Sequence, residues 1–326
     1  MLTEPKEIWP NFFIVGAQRA GTTSLYHYLK EIPGVHMSRV KEPSYFAPNF
    51  VRRDPGRFLR DKKEYLRLFE NARGYIAVGE ASPMYLWDPD APKLIHQTVP
   101  HARIIMILRD PIERAYSHYL LKKKYRGGMK SSFYDELMRD YKSQEKLFDY
   151  KSEEKLFGRS NMYVEPGMYY EQVKRYFDIF GREQVKVIIF EEFVQHPVQT
   201  VNEVLAFLGV NYTVTAVKEQ YNPYSVPRSS LALWIFGFFR QLRARNIKTY
   251  QIATLLPHSL IESLSDKMFF KRKQKPKIES KAVKFLQENY HDDVIRLESL
   301  LGRSLPWHTV LGYDDNNNNN NYKKMR

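Results

Sequence analysis

The sequence predicts an α/β fold in which a central parallel sheet is flanked by helices in three layers. Short apolar runs alternate along the chain with segments of helical periodicity. Strands connected by helices in this way pair in parallel through right-handed crossovers. A glycine-rich stretch follows one apolar run directly and an arginine follows another, at the carboxyl ends where open α/β sheets bind ligands.

The predicted elements follow one another in a regular order. Phe12–Val15 predicts the first strand, and the helix after it spans Thr22–Glu31 and ends at Ile32-Pro33-Gly34. The other elements are strands over Tyr75–Gly79, Arg103–Leu108 and Val185–Phe190, and a helix over Tyr169–Phe180 that Gly181 ends.

We expect one domain over residues 1–310. Residues 122–162 are polar and interrupt the alternation, which favours a surface insertion. Residues 311–326 are rich in asparagine and are predicted to form a disordered tail.

Composition limits the partners and the compartment. The chain of 326 residues contains no cysteine, which excludes disulfides and thiolate metal sites. The N-terminus shows no signal segment, and the longest apolar run, Leu231–Phe239, is far shorter than the roughly 18 residues of a membrane span. We therefore expect a soluble, cytoplasmic protein. The net charge of +14 suits an anionic partner such as a nucleotide, an acidic glycan, an anionic lipid or a nucleic acid.

The stretch "GAQRAGTTS", Gly16–Ser24, has the spacing of a phosphate-binding loop between a strand and a helix. Backbone N–H groups and the helix N-terminus make such a loop an anion site, although alone it is also compatible with an ordinary connection. A nucleotide triphosphatase carries lysine after the second glycine, whereas here Thr22 and Thr23 follow it and Arg19 is the loop's cation. The missing lysine argues against a triphosphatase.

A second motif, "RDPIERAYS", begins directly after the strand Arg103–Leu108. Asp110 is predicted to cap the following helix, with Glu113 completing a capping box. Arg109 is thereby held at a strand end beside a helix N-terminus. Ser117, two turns into the helix, can reach the same side.

Together these motifs resemble those of the sulfotransferases that use 3′-phosphoadenosine 5′-phosphosulfate (PAPS). The first is similar to their Lys-x-Gly-Thr-Thr loop, and the second to their Arg-Asp-Pro-x-x-Arg-Ala-x-Ser motif. The resemblance covers about residues 10 to 308 and is closest to the bacterial and glycan-modifying branch, which includes the heparan sulfate enzymes. Further matching segments are "KEPSYF", "GEASPMYL", "GMYYEQV", "FLGV", "PRS" and "LESLLGRSLPW".

The resemblance implies a P-loop-like fold and a PAPS-dependent enzyme that requires no metal. It implies binding of the 5′-phosphosulfate by the first loop, binding of the 3′-phosphate by the second motif, and a late loop that closes on the nucleotide. The nucleotide-binding residues are then Arg19, Ala20, Gly21, Thr22, Thr23, Ser24, Arg109, Ser117 and, less directly because the family's Lys-Gly-Arg pattern is absent, Arg228.

The resemblance also assigns the catalytic roles. Relatives carry lysine where Arg19 stands, and an arginine holds its proton too tightly to donate it, so Arg19 is assigned to electrostatic stabilisation. Glu42 is the expected base, and Lys41 steadies the acceptor or the sulfuryl oxygens. His36 is the rival base, because the small-phenol branch uses a histidine. Ala81 replaces a common family lysine.

Three further side chains receive weaker assignments. Ser82 and Tyr85 are expected to line the cleft, while Tyr169 is expected to be either a core residue or a cleft residue. His118 is expected to pack on its own helix.

The acceptor is predicted to be a hydroxyl or amine of a glycan, a lipid-linked molecule or a small molecule. Residues 231–245, "LALWIFGFFRQLRAR", are either an amphipathic lid helix or a peripheral membrane contact. Two other function classes are a P-loop nucleotide kinase or NTPase, which needs Mg²⁺ and a loop lysine, and a basic nucleic-acid-binding module, for which no motif is present. We expect no nucleic-acid partner.

Overall fold

A computed structural model describes residues 7–51, 59–126, 130–148, 163–217, 224–229, 232 and 270–311. Five strands form one parallel sheet in the order β2-β3-β1-β4-β5, which confirms the predicted α/β fold. These strands are β1 (Phe12–Gly16), β2 (Val35–Met37), β3 (Ala77–Ala81), β4 (Arg103–Leu108) and β5 (Val185–Ile189).

Helices connect and flank these strands, and a short antiparallel strand pair packs beside one of them. The helices are α1 (Thr22–Lys30), α2 (Pro48–Val51), α3 (Lys62–Leu66), α4 (Ala91–Thr98), α5 (Pro111–Arg126), α6 (Phe133–Phe148), α7 (Tyr169–Phe180), α8 (Phe190–Gln195), α9 (Pro197–Leu208), α10 (Ser280–Leu301) and α11 (His308–Leu311). The antiparallel pair consists of β6 (Ser225–Pro227) and β7 (Phe270–Arg272), and β6 lies against α5.

The central strand β1 sets the position of the site. It pairs with β3 on one side and β4 on the other, and every one of its residues is buried. A strand that is buried on both faces has a continuous run of apolar residues, and this run is the feature of the sequence that predicted β1. Because β1 and β4 are parallel neighbours, the loops that follow them emerge at the same edge of the sheet.

The largest shift from a predicted strand concerns β3. The sequence predicts Tyr75–Gly79, but the strand begins at Ala77 and continues to Ala81. Tyr75 and Ile76 are 44% and 55% exposed, so these apolar residues precede the sheet, while the buried end of β3 contains the polar Glu80. Strand β2 has only three residues and was not predicted.

The predicted insertion is helical over residues 122–126 and 133–148. Residues 122–126 complete α5, and α6 places Phe133 and Leu137 in the core. The Phe133 ring lies 5.1 Å from the rings of both Tyr116 and Tyr119, so this end of α6 packs on α5. Residues 149–162, the candidate lid or membrane segment 231–245 apart from 232, and tail residues 312–326 lie outside the described residues.

The long helix α10 caps the start of α7. Asp293 accepts hydrogen bonds from the backbone N–H of Tyr169 at 2.7 Å and of Tyr170 at 3.2 Å. Burial raises the pKa of Asp293 to about 6, against these two bonds, which lower it. A residue far along the chain therefore supplies the acceptor that the first turn of α7 lacks locally.

Asp293→Ala is expected to lower the free energy of unfolding by about 1–3 kcal/mol, because it leaves two backbone N–H groups without their acceptor. Urea unfolding at pH 7.5 measures this loss. The matched control is Asp292→Ala, since the Asp292 side chain is 96% exposed on the same helix. Equal urea midpoints for the two variants would contradict the capping role.

Candidate active site

Three loops meet at the carboxyl edge of the sheet. The loop after β1 carries Arg19, the residue after β4 is Arg109, and the segment after β2 carries Lys41 and Glu42. The backbone N–H of Glu42 donates to the carbonyl of Ala81 at the end of β3, at 3.0 Å. The structure thus brings Arg19, Arg109, Lys41 and Glu42 to one edge of the sheet.

The glycine-rich loop leaves the start of α1 open to an anion. Gly21 has φ +90°, and a Cβ there would lie 3.0 Å from the ring of Phe190, so only glycine fits without strain. Within the described residues, no side chain caps α1. Its first-turn N–H groups are therefore available to a ligand. Ala20, Thr22 and Ser24 are buried here, and Thr23 is half-buried.

The two arginines of the predicted motifs lie together. Arg109 Nη1 donates to the carbonyl of Arg19 at 3.2 Å, and Arg19 Nε donates to Ser117 Oγ at 3.1 Å. Burial, followed by the nearby charge of Arg109, lowers the pKa of Arg19 to about 10. In the described part of the chain, the buried Nε of Arg109 has no acceptor. Two close guanidinium groups with a spare buried donor form a site for an anion.

The start of α5 is capped as predicted, but the capping box is only half formed. Asp110 Oδ1 accepts from the N–H of Ile112 at 2.8 Å and of Glu113 at 3.1 Å. The N–H of Asp110 donates to Glu191 Oε1 at 3.1 Å rather than to Glu113. The prediction of a reciprocal bond was wrong because Glu113 instead pairs with two cations, Arg109 at 3.3 Å and Lys275.

Lys275 is a site residue that the sequence motifs missed. It follows β7, pairs with Glu113, and places its Nζ 4.9 Å from the ring centroid of Tyr116. Burial lowers the pKa of Lys275. The available signal was the lysine-rich segment 271–277. Arg228, the predicted late-loop residue, lies directly after β6 and is exposed.

The candidate base Glu42 is paired with its neighbour. Lys41 Nζ lies 2.5 Å from Glu42 Oε1, and the Glu42 side chain is 35% exposed. Glu42 has a left-handed backbone, with φ +64°. Its negative charge opposes the lowering of the Arg19 pKa, so the two side chains are within electrostatic reach.

The rival base His36 lies in β2. Its Nε2 is 3.5 Å from the carbonyl of Leu68, and its ring packs 5.3 Å from Tyr75. In the described structure, these contacts involve none of the predicted nucleotide-binding residues.

The weaker assignments are resolved by burial. Ser82 and Tyr85 are fully buried and bonded to Glu80, so the expectation that they line the cleft was wrong. Tyr169 is a core residue whose hydroxyl donates to the carbonyl of Arg109 at 3.0 Å. His118 is buried and packs edge-on against Tyr163.

Two wider properties concern the described ranges alone. No group of three or more His, Asp or Glu side chains is placed there to hold a metal ion. No helix in those ranges combines the length and the apolar character needed to cross a membrane.

Comparisons with known proteins identify relatives of this chain. A model of the sulfotransferase domain family matches residues 10–298. The human proteins carbohydrate sulfotransferase 15 and bifunctional heparan sulfate N-deacetylase/N-sulfotransferase 3 are each 27% identical, over 254 and 205 residues. Each match covers 62% of this chain, but only 44% and 22% of those proteins, so the chain spans less than half of their length. The crystal structure of a sulfotransferase from Alicyclobacillus acidocaldarius has a TM-score of 0.66 and 31% identity, over 91% of this chain and 98% of that one.

The buried cap Asp110 makes stability depend on pH. Burial raises its pKa from 3.8 to about 7, and Glu113 and Glu191 add to the shift. Between about pH 4 and 7 the folded protein keeps a proton that the unfolded chain releases. The free energy of unfolding therefore falls as pH rises through this window, by up to about 4 kcal/mol from this group.

Asp110→Asn is expected to flatten this dependence, because its amide oxygen still accepts the two N–H bonds but the side chain does not titrate. Urea unfolding at several pH values from 4 to 8 measures the slope. Asp61→Asn is the control, since Asp61 is an exposed cap that accepts from Glu64 N–H at 2.9 Å. An Asp110→Asn slope equal to that of Asp61→Asn would refute the assignment.

Proposed function

Because the chain belongs to the sulfotransferase domain family, we propose that it moves a sulfuryl group from PAPS to a hydroxyl or amine of an acceptor. The observation that carries this proposal is the meeting of Arg19 and Arg109 at one edge of the sheet. A glycan is the preferred acceptor, because two relatives are named for carbohydrate and heparan sulfate transfer. Lipid-linked and small-molecule acceptors are the alternatives. Membership of the family argues against a nucleotide kinase and against a nucleic-acid-binding module.

The residues present fit the two anionic ends of PAPS. The open start of α1, with Thr22, Thr23 and Ser24, suits the 5′-phosphosulfate. Arg109 and Ser117 suit the 3′-phosphate, and the unpaired buried Nε of Arg109 is a donor for one of its oxygens. Lys275 pairs with Glu113 and so adds a further cation at this end of the site.

Sulfuryl transfer depends mainly on positioning and charge stabilisation, as phosphoryl transfer does. The acceptor oxygen or nitrogen bonds to sulfur as the bond from sulfur to the nucleotide phosphate breaks, and that electron pair stays on the phosphate. Arg19, with a pKa of about 10, stays charged at neutral pH and stabilises the leaving phosphate. Glu42 takes the acceptor proton, and Lys41 orients the acceptor or the sulfuryl oxygens.

Two expectations from the sequence stay proposals. One is the cytoplasmic location. The other is the role of residues 231–245 as a lid or as a membrane contact.

Adenosine 3′,5′-bisphosphate is expected to bind without metal, and Arg109→Ala is expected to weaken it by about 10- to 150-fold, or about 1.5–3 kcal/mol, through loss of a charge-assisted contact. Isothermal titration calorimetry in EDTA measures both dissociation constants, with ATP–Mg²⁺ titrated in parallel.

The control variant is Arg296→Ala, which removes an exposed arginine that is paired with Glu171. Binding of ATP only with Mg²⁺, and no binding of the bisphosphate, would overturn the proposed function. Equal affinity in the Arg109 and Arg296 variants would reject the role of Arg109 alone.

Glu42→Gln is expected to lower turnover by about 10²–10⁴, because the amide keeps the shape of the side chain but cannot accept a proton. The dissociation constant of the bisphosphate should stay within about twofold, since the change spares the nucleotide contacts. Turnover is measured with radiolabelled PAPS against a panel of glycan, lipid-linked and small-molecule acceptors.

Glu70→Gln is the matched control, because Glu70 is exposed and pairs with Arg39. Near-normal turnover of Glu42→Gln would eliminate this base and direct attention to His36. A weakened affinity for the bisphosphate would instead show that Glu42 supports the loop.

A further inference from the structure

A buried carboxylate lies behind the catalytic segment and takes no part in the chemistry above. Glu80, near the end of β3, is fully buried. Its Oε1 accepts from the hydroxyls of Tyr65 at 2.8 Å and Tyr85 at 2.7 Å, and its Oε2 accepts from Ser82 Oγ at 2.5 Å. In the described ranges no cation pairs with Glu80. Burial raises the pKa of Glu80 to about 7, while the three hydroxyls lower it and stabilise the charged form.

Two of these hydroxyls also hold the segment that carries Glu42. Ser82 Oγ accepts from the N–H of Ser44 at 3.0 Å, and Tyr85 Oη accepts from the N–H of Phe46 at 3.2 Å. Together with the bond from Glu42 N–H to Ala81, they attach alternate amides of residues 42–46 to the end of β3.

This segment needs such attachment because of its backbone. Glu42 and Ser44 have φ +64° and +53°, in the left-handed region that residues other than glycine rarely adopt. Conformations of this kind persist only where the surroundings hold them.

The carboxylate fixes the direction of every bond in the cluster. A carboxylate only accepts, so each hydroxyl must give its single hydrogen to Glu80 and offer its lone pairs to a backbone N–H. A glutamine of the same size places two hydrogens at one end of the group. At least one hydroxyl must then turn or lose its acceptor, and the amide bond that depends on it weakens.

We propose that Glu80 is a positioning residue that orients the base Glu42, acting through Ser82 and Tyr85 on the backbone of residues 42–46. The proposal rests on the proposed function for the role of Glu42, but its effect on the backbone does not require that function. A buried carboxylate without a cation lowers stability compared with an apolar side chain. Stability alone therefore does not account for a charged group at this position.

The test combines amide hydrogen exchange with kinetics at pH 8, using the full chain. In Glu80→Gln, the N–H group of at least one of Ser44 and Phe46 is expected to exchange about tenfold faster or more, as for loss of one hydrogen bond. The catalytic constant should fall by a similar factor, while the KM for PAPS and the dissociation constant of adenosine 3′,5′-bisphosphate stay within about twofold.

The matched control is Tyr65→Phe. It removes one donor to Glu80, but Tyr65 holds no amide of the segment, so exchange at Ser44 and Phe46 should match the wild type. If Glu80→Gln fails to fold, Ser82→Ala replaces it, with faster exchange expected at Ser44 and unchanged exchange at Phe46.

Unchanged exchange at both amides in Glu80→Gln would overturn the proposal. Faster exchange with a normal catalytic constant would also overturn it, because the segment would then not control the base. Failure of the proposed function is distinct, since it appears in the wild type as no binding of the bisphosphate, whatever the exchange rates.

Discussion

The arrangement of the site depends on holding two guanidinium groups close together. Burial is the larger cause of the lowered pKa of Arg19, and repulsion by Arg109 adds to it. Arg109 is held by the ring of Phe190, 4.6 Å from its guanidinium carbon, and by the carboxylate of Glu113. Anionic groups that neutralise both charges lower the energy of such a pair. Arg109 Nε is a buried donor without an acceptor in the described residues, and it is available to such an anionic group.

The supports of Arg109 come from distant parts of the chain. Its carbonyl accepts from Tyr169, whose N–H is in turn held by Asp293 on α10. The adjacent Asp110 donates its N–H to Glu191, and the other oxygen of Glu191 accepts from Trp307 Nε1 at 3.0 Å. The closing "LESLLGRSLPW" segment therefore acts on the first turn of α5 through a single carboxylate. A motif that looks remote from the site in sequence is two hydrogen bonds away from it in the structure.

The sequence predicted the elements whose signals are local. Strand β4 and helix α7 have the predicted bounds, and Asp110 caps α5, because apolar runs and cap residues act within a few positions. The glycine-rich loop was found for the same reason. Pairings over long separations were not found: Glu191 is 81 residues from Asp110, and Lys275 is 162 residues from Glu113. The role of the polar Glu80 inside a buried strand could not be predicted from the sequence. Its partners Tyr65 and Tyr85 look like ordinary core aromatic residues, so nothing in the sequence connects them with Glu80.

The replacement of the family's loop lysine by Arg19 fits the chemistry of the leaving group. The nucleotide phosphate leaves as a stable anion, so it needs neutralising charge more than it needs a proton. A guanidinium has five N–H donors, and the bond from Nε to Ser117 Oγ leaves further donors for anionic oxygens. That bond also links the loop to α5, the helix that begins beside Arg109. In a lysine, one ammonium group would have to bond to both the serine and the phosphate. With arginine, one planar group divides these tasks among separate nitrogens: Nε attaches the loop to α5, and the other two nitrogens are left to donate to an anion.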